Sequence, residues 1–405
     1  MNFRKFFFSA AALAFFAMAG VSTLSAQMSV SGLLDTSVTM RAGAGDAPAL
    51  SCGIETYANL RMVARMREMA TVFADVNLIA LAGDPAFSAS MAAGMSGGGA
   101  LPTPFVQGAN FIAGFELERL YFRVNTDNAR LDGGLLRIPI GHGLVWRPTD
   151  FLNPANPILT NARPRAVLGA EFSWWPTFDA KFVGFGAAPR DPFERRWRGG
   201  HAGMTLEREW GRAVAQALYA FESPRDGADF GVHRAGLSVK ADLEVGLVLD
   251  LLYSYNHERQ TRLDGLAASV GFDYSLFRGS LLVVAEYLYS GANSSTSIGG
   301  GGHFANRHYL YTGFTWIFND FTNFGLALVS GLSDLSFTPI ATFNQEIFQG
   351  ATLTLAAQAP FDRDALFGNG NRGELGPLPP DSLFPPGVAP FGRRFDFSAM
   401  LRLRF

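Results

Sequence analysis

The sequence predicts an all-β protein, a single transmembrane antiparallel β-barrel of about 18 strands, in the range 16–18, with short periplasmic turns and long extracellular loops. Three observations predict it. Segments of about ten residues alternate apolar with polar or small side chains along most of the chain. Short turns alternate with long Gly/Pro-rich links. Beyond the N-terminus, no apolar run reaches the roughly 18 residues that a membrane-spanning helix needs.

Composition agrees with a wall that has one face in lipid and one in water. The 405 residues include 45 Gly and 37 Phe, only 17% are charged, and the mean hydropathy is slightly positive. A net charge of −2 provides no field to attract nucleic acid. Cys52 is the one cysteine, so no internal disulfide forms; it is expected as a small buried or lipid-facing residue.

The first element is a secretory signal. Arg4 and Lys5 precede an apolar run over 6–20 and a small-residue stretch over 21–26. Cleavage after Ser25 or Ala26 leaves 27–405 as one barrel domain, with its first strand running outward from the periplasm.

The strands follow in order. Over 54–65, Ile54, Ala58, Leu60, Met62 and Ala64 oppose Glu55, Tyr57, Asn59, Arg61 and Arg65. Over 72–80, Val72, Ala74, Val76, Leu78 and Ala80 oppose Asp75 and Asn77. Over 119–125, Leu120, Phe122 and Val124 oppose Arg119, Tyr121, Arg123 and Asn125. The same reading holds at 245–256 (with Asp250 on the polar side), 281–290 (with Glu286) and 351–358. Fainter alternation runs through 29–41, 131–140, 166–175, 179–188 and 322–332. The last strand is the clearest: Phe395, Phe397, Ala399, Leu401, Leu403 and Phe405 share one parity, Arg394, Asp396, Ser398, Met400, Arg402 and Arg404 the other. A helix would need apolar residues three and four apart.

Turns are expected at 66–69, 126–129, 176–178, 210–211, 242–243, 276–279, 319–322 and 348–350. Long links are expected at 42–50, 84–110, 141–165, 189–200, 223–229, 291–306 and 359–392. Aromatic residues gather at strand ends, among them Trp174, Trp175, Phe178, Tyr253, Tyr255, Tyr287, Tyr289, Trp316 and Phe318. Rings of this kind suit a membrane interface.

The alternation that ends in Phe405 resembles the C-terminal signature of Gram-negative outer-membrane barrels. The resemblance implies location in the cell outer membrane, contact with its lipids, and recognition of Phe405 by the barrel-assembly machinery. A narrower likeness covers 131–157. There Leu131-Asp132-Gly133-Gly134-Leu135-Leu136-Arg137-Ile138 leads into Gly141-His142-Gly143-Leu144-Val145-Trp146-Arg147-Pro148-Thr149-Asp150-Phe151-Leu152-Asn153-Pro154. This stretch is similar to the alginate-export type of 18-stranded porin. It implies an anion-tolerant lumen at most, and a polysaccharide substrate is not carried over from it.

Charges placed against lipid are costly, about 2–4 kcal/mol for an arginine at mid-bilayer, so the polar parity must face inward. The expected pore lining is Glu55, Arg61, Arg65, Asp75, Arg119, Arg123, Arg137, Lys181, Asp250, Glu286, Arg402 and Arg404. Its alternative is a network of paired charges that fills a closed lumen. Loop 141–165 offers Trp146, Arg147, Asp150, Phe151 and Asn153, either as a constriction folded into the lumen or as an external cap. Loop 189–200, with Arg190, Arg195, Arg196 and Arg198, reads as a solvated charged loop or an anion-attracting one.

Other motifs carry no chemistry. Gly94-Met95-Ser96-Gly97-Gly98 fits G-x-S-x-G, but lies in a flexible Gly/Ala/Ser stretch instead of between a strand and a helix. The Gly299–302 run lacks the Lys-Ser/Thr of a phosphate loop, and the six histidines show no metal-binding spacing. No catalytic residue, metal or cofactor is expected, and the chain does not read as an enzyme. The expected function is a weakly selective, porin-like channel for passive diffusion of small hydrophilic solutes. Its alternatives are a transporter for hydrophobic compounds and a closed-lumen surface or adhesive barrel. The sequence leaves oligomeric state open.

Overall fold

The structure, a computed structural model, describes residues 26–44, 50–66, 69–83, 103–108, 110–153, 166–188, 200–224, 230–256, 263–291, 307–333, 335–359, 361 and 393–405. The segment expected as a signal peptide over 1–26, apart from Ala26, lies outside the described residues, as do the G-x-S-x-G stretch, 154–165, the arginines of 189–199, the Gly299–302 run and the link over 362–392.

Nineteen strands form one antiparallel sheet. They are β1 (Ala26–Ala44), β2 (Leu50–Met66), β3 (Ala70–Gly83), β4 (Thr103–Gln107), β5 (Phe111–Asn125), β6 (Ala129–Leu136), β7 (Val167–Thr177), β8 (Ala180–Ala188), β9 (His201–Trp210) and β10 (Ala213–Glu222). They continue with β11 (Val232–Asp242), β12 (Gly246–Asn256), β13 (Leu266–Leu276), β14 (Leu281–Ser290), β15 (His308–Asn319), β16 (Thr322–Gly331), β17 (Ser336–Phe348), β18 (Ala351–Gln358) and β19 (Arg393–Arg404). Eighteen of them close a barrel, β1 pairing with both β2 and β19; β4 stands outside that ring and pairs only with β5. The only helical turn among the described residues is Phe277–Gly279. Among the described residues, no helix is long and apolar enough to cross a membrane.

Closure follows from the backbone's needs. An open edge in hydrocarbon leaves N–H and C=O groups without partners, so a spanning sheet must meet itself. The seam runs from Leu33↔Arg404 to Ala44↔Arg393. Just beyond it, Gly32 N–H donates to the Phe405 carbonyl (2.8 Å) and Phe405 N–H to the Gly32 carbonyl (3.1 Å). The Phe405 ring covers Gly32 so closely that a Cβ there would stand 2.5–2.6 Å from ring atoms. Glycine is required at this close approach.

Parity divides the wall as expected. Val30, Ile54, Leu78, Phe122, Leu206, Val270, Leu326 and Phe397 point outward and are exposed, whereas Asp35, Asn59, Asp75, Asp132, Glu171, Asp250 and Asp396 point inward and are buried. Cys52 is exposed on the outward parity. Trp174 is exposed with the outer aromatics, but Trp175 belongs elsewhere. Its ring lies 5.7 Å from the Arg130 guanidinium and 5.9 Å from Lys181 Nζ, both on inward positions. Consecutive strand residues face opposite sides, so the pair Trp174-Trp175 cannot both reach the interface.

Two departures from regular strands matter for the interior. The ladder between β3 and β5 shifts register at Asp75/Val76, where Arg119 faces Asp75 and Leu117 faces Val76. Glu118 is the extra residue of this bulge. The second departure is the early end of β6. Alternation over 131–140 suggests a strand of ten residues, yet β6 leaves the wall after Leu136. Gly134, at φ +131°, lies against the Leu120 carbonyl with no room for a Cβ. Above that point the free edge of β5 is taken by β4, through Thr103↔Phe115 to Gln107↔Ile112. The link expected over 84–110 thus contains a short strand.

Candidate functional site

Past Leu136 the chain turns into the barrel. Ile138, Ile140, Phe151 and Leu152 pack with the inward residues Val167, Phe185, Ala187, Leu218, Ala220 and Leu252 in one buried cluster. Burying side chains of this size contributes about 1.5–3 kcal/mol each, so the cluster anchors the segment against β7–β12. A second cluster forms at the segment's other end. Trp146 packs against Tyr309, Val329, Leu288 and Ile340, with its ring 6.1 Å from that of Tyr309 and 6.3 Å from that of Tyr311. Residues 137–153 therefore lie across the inside of β7–β17.

Polar contacts place the stretch between these anchors. Gly141 N–H donates to Gln216 Oε1 on β10 (2.9 Å) and His142 N–H to Ser238 Oγ on β11 (2.9 Å). His142 and Gly143 N–H reach the Asp250 carboxylate on β12 (3.4 Å each), which also accepts from Thr149 Oγ1 (3.0 Å) and Ser238 Oγ. Glu286 on β14 accepts from the N–H groups of Leu144 (3.1 Å), Val145 (2.7 Å) and Trp146 (3.3 Å). A run of six backbone donors is thus satisfied by four wall side chains, as a buried irregular segment requires. Arg147 is exposed, and its Nε donates to the Gly143 carbonyl (2.8 Å).

Asp150 and Asn153 close the segment on itself. Asp150 accepts from Asn153 N–H (3.0 Å), and Asn153 Oδ1 accepts from Ile138 N–H (2.8 Å). Asp150 belongs to no spanning strand. Its burial raises its pKa to about 7, an effect that the Asn153 N–H and the Arg147 charge oppose and that the Asp250 charge reinforces. Phe151 is held from its other face by Arg234, whose guanidinium carbon is 4.7 Å from the ring centroid. Arg234 in turn pairs with Glu222 at 2.6 Å, fully inside the wall.

The opposite sector of the lumen is built differently. Arg402 on β19 makes a two-pronged contact with Asp35 on β1 (2.8 and 2.9 Å). Arg41 pairs with Asp396 (2.9 Å). Asp75 on β3 serves Arg61 on β2 (3.0 Å) and Arg119 on β5 (2.6 Å) together. Arg123 grips Asp132 on β6 (2.8 and 2.9 Å), and Arg130 bridges Asp132 (3.4 Å) and Glu171 on β7 (2.8 Å). Arg137 pairs with Glu118, which also accepts from Tyr57 (3.0 Å) and Asn77 (2.9 Å). The pairs are unequal in access. The side chain of Arg61 is 50% exposed against 3% for Asp75, and Arg402 31% against 7% for Asp35. Carboxylates lie low against the wall while guanidiniums reach over them into the lumen.

The residues named from the sequence fall into four groups. Arg61, Asp75, Arg119, Arg123, Arg137 and Arg402 come together in this arginine sector, although Arg137 stands one residue past the end of β6. Asp250 and Glu286 face inward but lie beneath the 141–146 segment instead of lining free space. Glu55 faces inward on β2, Lys181 lies by Trp175, and Arg65 and Arg404 are exposed near the short-turn ends of β2 and β19. Trp146, Asp150, Phe151 and Asn153 are buried in the inward-folded segment, and Arg147 is exposed on it. Sequence reasoning missed Asp35, Asp132, Arg130, Gln216, Ser238 and Glu118. The first five share the inward parity of their strands, a signal that was available. Glu118 has the wrong parity for strict alternation, and only the bulge brings it inside.

No protein-family model and no curated protein matches the chain. Solved structures do share its fold. OccAB4 of Acinetobacter baumannii superposes with a TM-score of 0.54 at 9% identity, over 94% of this chain and 98% of that one. OccK2 (OpdF) of Pseudomonas aeruginosa gives a TM-score of 0.56 at 10% identity over the same shares. A second structure of OccK2, in complex with glucuronate, gives 0.56 at 9% identity, again over 94% of this chain and 98% of that one.

Proposed function

We propose that this protein is an outer-membrane channel for passive diffusion of small hydrophilic solutes, with a preference for anions. It acts as a conduit and not as an enzyme. A closed 18-strand wall with an apolar outer face and a charged inner one is suited to hydrocarbon outside and water inside. A ring of that size encloses more space than wall side chains fill. The observation that carries the reading is the unequal access of the inner ion pairs. Charge exposed on a pore wall sets the local ion concentration, and in the arginine sector the more exposed member of each pair is the arginine. The structure of OccK2 in complex with glucuronate, a small carboxylate, supports the reading.

The test is single-channel recording of purified, folded protein in a planar bilayer under a salt gradient. Stepwise currents with a reversal potential on the anion-selective side are expected. No current from protein shown to be inserted overturns the proposal and favours a closed-lumen surface barrel, the reading that the extensive pairing of inner charges would then support.

A further inference from the structure

We infer that segment 141–146 sets the sign of the pore's ion preference, by hiding a carboxylate-bearing sector of the wall from the solution. The inference rests on the channel reading above. It concerns what the inward-folded segment does beyond narrowing a passage.

The two sectors of the lumen neutralise their acids by different means. In the arginine sector, Asp35, Asp75, Asp132, Glu171 and Glu118 each have a guanidinium partner. The opposite charges of such a pair largely cancel at a distance. Across the lumen, Glu222 has Arg234. The donors that reach Asp250 and Glu286, by contrast, are neutral: the N–H groups of residues 142–146 and the hydroxyls of Thr149 and Ser238. Among the described residues, neither carboxylate takes part in an ion pair. Successive backbone N–H groups form a concave anion-binding surface, and this one is filled from the wall side by two side chains. Asp250 and Glu286 are 0% and 1% exposed as a result.

With the segment in place, the lumen presents Arg147 and the arginine sector, and no bare acid from β12 or β14. With the segment lifted, two uncompensated carboxylates face the same water. At about 0.1 M salt a charge acts over roughly 10 Å, far enough to bias ions in the passage. One unit charge about 10 Å away in such salt changes the occupancy of a monovalent ion about 1.3-fold by its screened Boltzmann factor, and so the anion-to-cation ratio nearly twofold. The segment therefore works as an electrostatic cover whose removal turns the wall acidic.

Proline substitution lifts the cover without deleting it, because proline has no N–H. In Leu144→Pro/Val145→Pro, Glu286 loses two of its three backbone donors. The anion-to-cation permeability ratio is expected to fall by about twofold, and adding Glu286→Gln to this variant should restore most of the loss. Glu286→Gln alone keeps an amide oxygen to accept from the N–H groups of 144–146, so the cover stays closed and the ratio should move much less than in the proline variant. Folding of each variant is checked by heat-modifiable gel migration. A proline variant with larger currents and unchanged ion preference overturns the inference, because the segment then acts by width alone. If the proline variant fails to fold, Glu286→Gln decides. A ratio shifted as much as about twofold toward anions shows that the carboxylate was never covered, and an unchanged ratio upholds the cover. Absence of current from the unaltered protein sinks the channel reading itself, a result distinct from current with unmoved selectivity.

Discussion

Asp75 holds Arg61 and Arg119 at once from a position nearly closed to solvent. Replacing it with Asn removes a charge that two guanidiniums share. Breaking a buried pair by taking away one member costs about 3–5 kcal/mol, and the exposure of Arg61 pulls this case toward the lower end. Asp75→Asn is expected to lower the urea midpoint of unfolding and, by leaving two arginines less compensated, to increase anion preference. Reversal potentials of the variant and the parent protein check the second effect. Asp150 makes a complementary case. Its pKa in the folded protein is about 7, above the ordinary 3.8. The folded state thus holds the proton more tightly than the unfolded chain, and its contribution to stability is fully present below about pH 3.8. That contribution falls as pH rises through 7 and then stays level. Asp150→Asn should gain stability relative to the parent between about pH 4 and 7, with a constant difference above about pH 8. Thermal unfolding across that range measures it, and a difference that does not vary with pH refutes it.

At the scale of elements, the inward-folded segment hangs on two apolar clusters, and Trp146 dominates one of them. Truncating a buried tryptophan to alanine costs about 3–5 kcal/mol. Trp146→Ala should leave the strand ladder intact, since Trp146 is not in a strand, while loosening the segment from β14–β17. Larger and noisier single-channel currents are expected, with far-ultraviolet circular dichroism unchanged. This is also the scale at which the sequence was most and least legible. Strands such as β2 and β19 could be read because lipid and lumen impose opposite chemistry on alternate residues. Segment 137–140 imitated the same signal for a different reason. Leu136, Ile138 and Ile140 alternate because one side of an extended chain docks on an apolar patch inside the barrel. Alternation reports two unlike environments and does not say which two. The short strand β4 carries Pro104 and gave no periodic signal, because its role is to fill an edge that β6 vacates. The donors of 141–146 were invisible for a plainer reason: backbone N–H groups are the same in every sequence, and only the fold aims them.

For the whole molecule, the proposed ion preference rests on charges arranged around a wide lumen, so it should depend on screening. The Debye length shrinks from about 10 Å at 0.1 M to about 3 Å at 1 M salt. Selectivity measured in dilute gradients should therefore largely vanish near 1 M, while conductance grows. A selectivity that survives at 1 M would point to direct coordination at one narrow place. The arginine sector spans β19 and β1–β7, so no single substitution there is expected to abolish the preference.

The manner in which 141–146 is fastened has a bearing on how such a protein changes over generations. Side chains from four strands hold it, and none of its residues belongs to the hydrogen-bond ladder that keeps the barrel closed. Wall and inward-folded segment are thus separately heritable parts. Substitutions at Gln216 or Ser238 alter how the segment is held without touching the ladder. New permeability can arise in a lineage without a passage through unfolded intermediates.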